Sequence, residues 1–194
     1  MRRNSVRIIA GIWRRRLIHF PDLPDLRPTP DRIRETLFNW LGQELTGKTC
    51  LDLFAGSGAL GFEAASRDAK RVLMIERDAA VVGALQDTAK TLGIETVEIL
   101  RDDAMRFLAR PQERFDIVFL DPPYRADLLS QLLPVLPAHL HDGALVYAEH
   151  RGHIALPDGW NAVRESRAGR VNYVLLQYQR DEPTPHQSRL SGNL

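Results

Sequence analysis

The sequence predicts an α/β protein built on a doubly wound, mostly parallel sheet of seven strands, with helices on both faces and a small N-terminal β-hairpin and helix extension. From Thr49 onward, short apolar runs alternate with longer amphipathic stretches, a pattern typical of successive βαβ units. Upstream, a proline-rich connector at residues 20–31 separates a basic segment from that alternation. The length of 194 residues and the hydrophobic content of 44% suit one domain with one sizeable core.

Each element of this fold has a local signal. The strands of the sheet are predicted at 50–54, 72–75, 97–100, 117–120, 144–148, 161–166 and 171–179, the last two joined by a turn at Gly169. Helices are predicted at 58–67, 78–92, 103–109 and 126–139. Upstream, residues 6–9 and 13–20 predict hairpin strands joined near Gly11, and Thr29-Pro30 predicts the N-cap and first residue of a helix. We expect a basic extension over 1–46, the sheet domain over 47–180 and a disordered tail over 181–194.

The basic residues are concentrated near the N-terminus, although the whole chain carries a net charge of only +1. Residues 1–34 contain nine arginines, no lysine and three aspartates, a net charge of +6, and the remaining residues carry −5. The guanidinium group binds phosphate through two donors and stacks on bases, which favours nucleic acid over a merely solubilising charge. We therefore expect this segment to contact RNA or DNA, with a solvated basic arm as the alternative.

Composition argues against several other classes of protein. No apolar run reaches the roughly 20 residues that a membrane-spanning helix needs, and the basic N-terminus lacks the apolar region and cleavage site of a secretory signal. The single cysteine, Cys50, cannot form an internal disulfide and fits a reducing cytoplasm. Histidines at positions 139, 141, 150 and 153 lack a metal-ligand framework, so we expect no metal site.

A glycine-rich loop follows the first strand of the sheet, within the segment LDLFAGSGALGFEA at 51–64. Gly56 and Gly58 allow a sharp turn and a close approach of the backbone to a ligand. The spacing satisfies G-x-G-x-x-G, which on its own is weak evidence for a dinucleotide site. Asp52 precedes the loop, where a carboxylate opposes a pyrophosphate and suits a cationic or zwitterionic ligand such as the methionine part of S-adenosylmethionine. A cap on the following turn or helix is the alternative role for Asp52.

Acidic residues also stand at the ends of the next two strands. Glu76 follows Gly56 by 20 residues, where a carboxylate can accept both ribose hydroxyls of an adenosine-containing cofactor. Paired acids end the third strand, and we assign Asp103 to the amino group of adenine and Asp102 to the cap of the following helix. The reverse assignment stays open at this point.

The fourth strand runs into Asp121-Pro122-Pro123-Tyr124, at the end of the strand where ligands bind in open α/β sheets. The two prolines have no N–H group, but their carbonyls remain acceptors. Asp121 and the Pro122 carbonyl can accept both protons of an exocyclic amino group, which turns the nitrogen lone pair toward a methyl donor. Tyr124 can stack on a base pulled out of its duplex or loop, a contact worth about 1–3 kcal/mol. The alternative is a rigid strand-to-helix turn.

These motifs, in this order, resemble class I S-adenosylmethionine-dependent methyltransferases that act on amino groups. More closely, the chain resembles the RsmD family of bacterial 16S rRNA guanine-N2 methyltransferases, from about residue 6 to residue 179. The segments that carry the resemblance are RIIAGIWRRRL, LRPTPDRIRETLFNWL, LDLFAGSGALGFEA and FDIVFLDPPY. Where the family typically has paired glycines and a W-R-G-R run, this sequence has Ala10-Gly11 and Trp13-Arg14-Arg15-Arg16.

The resemblance implies a Rossmann-like methyltransferase fold, S-adenosylmethionine as cofactor and one guanine of 16S rRNA as target, within small-subunit ribosomal particles. We expect a cytoplasmic monomer that contacts no membrane. Cofactor contacts are expected at Asp52, Phe54, Gly56, Gly58, Glu76, Arg77, Asp103 and Ala104. The chemistry is assigned to Asp121, Pro122 and Tyr124. RNA contacts are expected at Arg7, Arg14, Arg15, Arg16, Arg27, Arg32 and Arg34, of which the last three match the family pattern RPT-x-D-R-x-R-E.

Three other functions remain open on the sequence. Asp-Pro-Pro-Tyr recognises an amino group without specifying the base, so a DNA adenine-N6 methyltransferase is the alternative, although no sizeable target-recognition insertion is visible. The glycine spacing also fits an NAD-dependent oxidoreductase, which has no use for Asp-Pro-Pro-Tyr after the fourth strand. The third is an RNA-binding module that retains the pocket without catalysis.

Overall fold

The computed structural model describes residues 3–24, 26–110, 113–122, 128–150, 152, 154–169 and 171–179. A hairpin of β1 (Arg3–Arg7) and β2 (Leu17–Pro21) precedes helix α1 (Asp31–Leu41). The sheet strands are β3 (Thr49–Asp52), β4 (Arg71–Glu76), β5 (Val97–Arg101), β6 (Phe115–Leu120), β7 (Leu140–His150), β8 (Trp160–Ala168) and β9 (Val171–Tyr178). The later helices are α2 (Ala59–Ser66), α3 (Ala79–Leu92), α4 (Ala104–Leu108) and α5 (Leu129–Leu132), with a 3-10 helix at Leu136–His139.

The seven strands form one sheet in the order β5-β4-β3-β6-β7-β9-β8. Strands β5, β4, β3, β6 and β7 are parallel, and β9 pairs antiparallel with both β7 and β8. This confirms the predicted doubly wound, mostly parallel sheet with a closing antiparallel hairpin. The chain winds outward from β3 to β5 and then crosses to β6 on the other side of β3, so the strand order reverses between β3 and β6. Ligands bind at such a switch point, beyond the carboxyl ends of the strands.

Both faces of the sheet are covered, because the parallel strands alternate side chains between two hydrophobic clusters. One cluster packs β-strand residues such as Cys50 and Phe119 against α1, α2, α3 and the N-terminal hairpin. The other packs residues such as Leu51 and Val118 against α4, α5 and the 3-10 helix. The N-terminal extension therefore shares its core with the sheet, through buried residues that include Ile8, Ile18 and Leu37.

The second hairpin strand is shorter than predicted, because residues 13–15 form turns and the strand begins only at Leu17. A nine-residue segment, the 8–16 loop, joins β1 to β2, and its ends are tied by hydrogen bonds from Ile8 N to Arg16 O and from Arg15 N to Ile8 O. Arg15 has a φ of +69°, in the left-handed region that favours glycine, and the related family has glycine at this point. Arg15 thus adopts a glycine-like conformation at a cost in backbone strain.

Two helix predictions also need correction. Thr29 is not the N-cap of α1, because the cap position is Pro30 and no side chain caps it. The helix predicted over 126–139 is interrupted: α5 ends at Leu132 and a 3-10 helix starts at Leu136. Pro134 and Pro137 explain the break, since each lacks an N–H group and its ring clashes with the carbonyl four residues earlier. Residues 126 and 127 and the predicted tail lie outside the described residues.

Candidate active site

Three acidic side chains lie on one face of the sheet, at the carboxyl ends of three adjacent strands. Asp52 ends β3, Asp121 follows β6, and Glu149 is the penultimate residue of β7. The strand register pairs Asp52 with Phe119 and Leu120 with Ala148, so Asp121 and Glu149 are the next neighbours in line. Because side chains alternate along a strand, all three acids share the face that α1 and α2 cover. This puts them at the switch point of the sheet.

Asp121 is held by the connector that leads into α1. The Thr29 hydroxyl donates to Asp121 Oδ2 at 3.3 Å, and Thr29 is buried. Burial raises the pKa of Asp121 well above its usual range, and the charges of Glu149 and Asp52 raise it further, whereas the Thr29 hydrogen bond lowers it. Sequence reasoning missed both Thr29 and Glu149. The signal for Glu149 was available, since a charged residue ends an apolar strand, as Asp121 does.

The structure describes only part of the predicted Asp-Pro-Pro-Tyr constellation. Pro122 is buried beside Asp121, immediately after the end of β6. Tyr124 lies outside the described residues, so its stacking role stays a prediction. Asp121 and Pro122 offer a carboxyl group followed by a carbonyl whose residue has no competing N–H, and their binding of an amino group stays a prediction.

The glycine loop joins β3 to α2 as predicted. Gly58 occupies the N-cap of α2 with a φ of +79°, and a Cβ there would lie 2.6 Å from Leu85 and 2.7 Å from Phe62, so both conformation and space require glycine. Asp52 lies beneath this loop, only 2% exposed, and its Oδ2 accepts from Gly61 N at 3.0 Å in the first turn of α2. Asp52 therefore has the helix-capping contact that was the alternative interpretation, and its contact with a cofactor stays a prediction. Burial raises the pKa of Asp52 to about 7, with a further contribution from the charge of Glu76.

Glu76 links the glycine loop to the end of β4. Its Oε2 accepts from Gly56 N at 3.0 Å, and its Oε1 accepts from Asp78 N at 2.8 Å. Glu76 therefore lies close to the glycine loop, as predicted. Each carboxylate oxygen has a second lone-pair site, so Glu76 retains the acceptor capacity that two ribose hydroxyls need.

The helix-capping role that we predicted for Asp102 belongs to Asp103. Asp103 caps α4, because its Oδ1 accepts from Met105 N at 3.0 Å and from Arg106 N at 3.1 Å. Asp102 is buried and is bound by the guanidinium groups of Arg106 and Arg110, so the prediction that it caps the helix is wrong. Although burial raises the pKa of Asp102, the hydrogen bonds and positive charges of these two arginines outweigh it and lower the pKa.

The remaining predicted cofactor residues follow strands at the same edge of the sheet. Phe54 and Gly56 are half-buried in the loop after β3. Arg77 is exposed after β4, and Ala104 is buried at the start of α4. Together with Glu76 they follow β3, β4 and β5, which are neighbours in the sheet, and their contact with a cofactor stays a prediction.

Six of the seven predicted RNA-contacting arginines are exposed, and one is buried. The exposed members are Arg7, Arg14, Arg15, Arg16, Arg27 and Arg32. Arg34 is fully buried, with its guanidinium group bound to Asp31 at 2.6 Å and Glu63 at 3.4 Å. It also donates to the carbonyls of Thr29 and Arg7. The expectation that Arg34 contacts RNA is therefore wrong, since its charge is used inside the protein.

Glu63 is the buried acceptor around which this network forms, and the sequence analysis did not single it out. It accepts from Ile9 N at 2.7 Å, from Ala10 N at 3.0 Å and from Arg67 Nε at 2.9 Å, in addition to Arg34. A carboxylate within the otherwise apolar helix α2 was the available signal. The network attaches the 8–16 loop and α1 to the helix that starts at the glycine loop.

The described residues contain no cluster of three or more side chains suited to a metal ion. In the same part of the chain, the helices are too short or too polar to cross a bilayer.

Comparison with known proteins gives consistent matches over nearly the whole chain. The family model described as "Conserved hypothetical protein 95" matches residues 6–177. Proteins named "Ribosomal RNA small subunit methyltransferase D" match from Escherichia coli, 45% identical over 90% of each chain, and from Haemophilus influenzae, 42% identical over 90% of this chain and 95% of the other. A solved Escherichia coli structure superimposes with a TM-score of 0.83 and 43% identity, covering 92% of this chain and 100% of that one.

Proposed function

We propose the function of this chain from its family. It belongs to the conserved hypothetical protein 95 family, and its relatives include proteins named "Ribosomal RNA small subunit methyltransferase D". The resemblance drawn from the sequence motifs is thereby confirmed. The chain is an S-adenosylmethionine-dependent rRNA methyltransferase, and its target is the exocyclic N2 amino group of one guanine in 16S rRNA. The observation that carries the reaction chemistry is the pair formed by Asp121 and Pro122 at the switch point of the sheet.

The residues around the glycine loop fit S-adenosylmethionine. Gly56 and Gly58 give the ligand access to the backbone, Glu76 offers oxygen acceptors to ribose hydroxyls, and Asp52 supplies negative charge beneath the methionine ammonium group. Asp103 uses Oδ1 to cap α4, and we assign its other oxygen to the adenine amino group, beside Ala104. When bound, the cofactor supplies an electrophilic methyl group on a cationic sulfur.

The methyl-acceptor chemistry falls to Asp121 and Pro122. An amino group conjugated with guanine is a poor nucleophile, because its lone pair is delocalised into the ring. Asp121 and the Pro122 carbonyl accept its two N–H protons, so the nitrogen moves toward tetrahedral geometry and its lone pair points at the methyl donor. Tyr124 stacks on the target base. Positioning and electrostatics then account for most of the rate, and Asp121 takes the departing proton.

The exposed arginines provide the approach for RNA. Arg14, Arg15 and Arg16 project from the 8–16 loop, Arg27 lies in the connector and Arg32 on the first turn of α1. The connector also carries Thr29, which contacts Asp121, so phosphate contacts at Arg27 and Arg32 lead to the methyl-acceptor site, and Arg14, Arg15 and Arg16 extend the basic surface away from it. We assign the substrate to 16S rRNA within small-subunit ribosomal particles, in the cytoplasm, with the enzyme acting as a monomer.

The decisive experiment combines transfer and binding measurements on wild type and Asp121→Asn. Labelled S-adenosylmethionine is incubated with small ribosomal subunits, free 16S rRNA and duplex DNA, and cofactor affinity is measured separately by calorimetry. We expect label at guanine N2 of 16S rRNA in the wild type, and loss of transfer with retained cofactor affinity in the variant. Label in DNA alone would refute the rRNA assignment, and equal loss of binding and transfer would make Asp121 a structural residue.

A further inference from the structure

Glu149 is a buried acid beside the methyl-acceptor site that the mechanism above does not use. It is only 4% exposed, at the carboxyl end of β7. The parallel register of β6 and β7 makes it the neighbour of Asp121, on the same face of the sheet. Burial raises the pKa of Asp121, and the charge of Glu149 on the adjacent strand, about 4.8 Å away, raises it further, so one proton held by the pair relieves the repulsion between the two carboxyl groups.

Among the described residues of β3, β7 and β9, the groups beside this pair are acidic or neutral. Tyr147, two residues earlier on β7, donates its hydroxyl to Glu149 Oε1 at 2.8 Å. Tyr173, the register partner of Glu149 on β9, places its ring 6.3 Å from that of Tyr147. From β3, Asp52 adds negative charge.

The connector and α1 approach the pair from above the sheet. Thr29 contributes a hydroxyl to Asp121. Within the described part of the connector and α1, the buried cation Arg34 donates to the Thr29 carbonyl and is bound to Asp31 and Glu63. Its charge is therefore matched by other acids, and the pair loses its proton readily only when a cation enters the site.

We propose that Asp121 and Glu149 form a carboxyl pair that carries one proton beside the neutral sulfur of S-adenosylhomocysteine and loses it beside the cationic sulfur of S-adenosylmethionine. This inference rests on the proposed function, which places the methyl-bearing sulfur next to Asp121. Glu149 acts as a positioning residue through Asp121. The two ligands have the same ammonium and carboxylate groups and differ in charge only at sulfur, so the difference between them reports on groups near that atom.

The protons and charges of the reaction balance when this pair accepts the proton that the reaction releases. Before transfer, both carboxylates are ionised and the sulfonium is positive. The guanine N2 lone pair forms a bond to the methyl carbon, the carbon–sulfur bond breaks, and its electron pair stays on sulfur. The proton released from N2 passes to Asp121, which shares it with Glu149. Exchange of product for new cofactor then releases this proton to water, and the cycle begins again.

The test is calorimetric titration of each ligand in buffers with different ionisation enthalpies, which counts the protons released on binding. In the wild type at neutral pH, we expect S-adenosylmethionine to release up to one proton more than S-adenosylhomocysteine. The ratio of the two affinities should therefore change by up to about tenfold per pH unit in favour of the methyl donor as pH rises. In Glu149→Gln, burial still raises the pKa of Asp121 but the negative neighbour is gone, so the difference should become smaller.

Matched variants separate this role from a general effect of the substitution. Glu165→Gln makes the same change at an exposed position on β8 and should keep the wild-type difference. Asp121→Asn removes the other carboxyl group and should abolish the difference, which provides the test if Glu149→Gln does not fold. Equal proton release for both ligands in the wild type, or an unchanged difference in Glu149→Gln, would overturn the inference.

Failure of the proposed function gives a different result. Absence of any binding of S-adenosylmethionine refutes the methyltransferase function itself and the pair with it. A proton difference that depends on Glu149, without methyl transfer to 16S rRNA, supports the pair and refutes only the substrate assignment.

Discussion

Asp52 offers a stability measurement whose size follows from the structure. Its carboxyl group is buried beneath the glycine loop, and its pKa is about 7 against an ordinary value of 3.8. Because the folded state holds the proton more tightly than the unfolded chain, Asp52 favours folding at low pH, and this contribution is lost as pH rises through 7. For one such group, the linkage relation gives a loss of about 3 kcal/mol in the free energy of unfolding between pH 5 and pH 8.

Asp52→Asn removes this titration and keeps an oxygen that can accept from Gly61 N. The assay is urea unfolding of both proteins at several pH values from 5 to 8, with Asp87→Asn on the exposed side of α3 as control. We expect the wild type and the control to lose about 3 kcal/mol more than Asp52→Asn over this range. Parallel curves for wild type and Asp52→Asn would refute the reasoning, since they would mean that Asp52 titrates alike in both states.

Four further results are expected. Arg34→Ala should lower the free energy of unfolding by about 2–4 kcal/mol, because it removes one of the two arginines paired with buried Glu63 and the donor to the Thr29 and Arg7 carbonyls, whereas exposed Arg32→Ala should change it by less than about 0.5 kcal/mol in the same urea assay. Glu63→Ala should destabilise to a similar extent as Arg34→Ala, and additive losses in the double variant would argue against a shared network. Replacing Arg14, Arg15 and Arg16 by alanine should weaken RNA binding and reduce its dependence on salt, because fewer phosphate contacts release fewer counterions; an unchanged salt slope would remove them from the interface. Cys50, buried and with its pKa raised to about 12 by burial and by the charges of Asp116 and Asp52, should react with a thiol reagent only after unfolding, and rapid labelling of the native protein would contradict this.

The sheet could be predicted from the sequence because its signals are local. Short apolar runs such as 72–75 are bounded by polar residues and separated by amphipathic stretches, which leaves few alternatives to βαβ units. The glycine loop, Glu76 and Asp121 were likewise accessible, since parallel strands bring their carboxyl ends to one edge of the sheet. The break at Pro134 could have been predicted as well, because proline interrupts a helix by a local effect.

The partners of charged residues could not be predicted in the same way, because they depend on tertiary structure. Arg34 and Arg32 lie two positions apart on α1 and carry the same charge, yet only Arg34 faces Glu63, which is 29 residues away in the chain. The roles of Asp102 and Asp103 depend on where α4 begins, within one residue. Glu149 and Asp121 become neighbours only through the pairing of β6 with β7.

Helix α2 has consequences for how this enzyme can be engineered. Its eight residues span about 12 Å, with the glycine loop at one end and, at the other, Ser66, whose carbonyl accepts from Ile12 N and whose hydroxyl bonds Ala10 O and Trp13 N. A Cβ on Gly11 would lie 1.7 Å from the Ser66 carbonyl oxygen, so the backbones meet without space for a side chain. The N-terminal segment therefore cannot be replaced on its own. A chimera that takes this segment from a relative with different RNA specificity must also take α2 from that relative, and with it part of the cofactor loop.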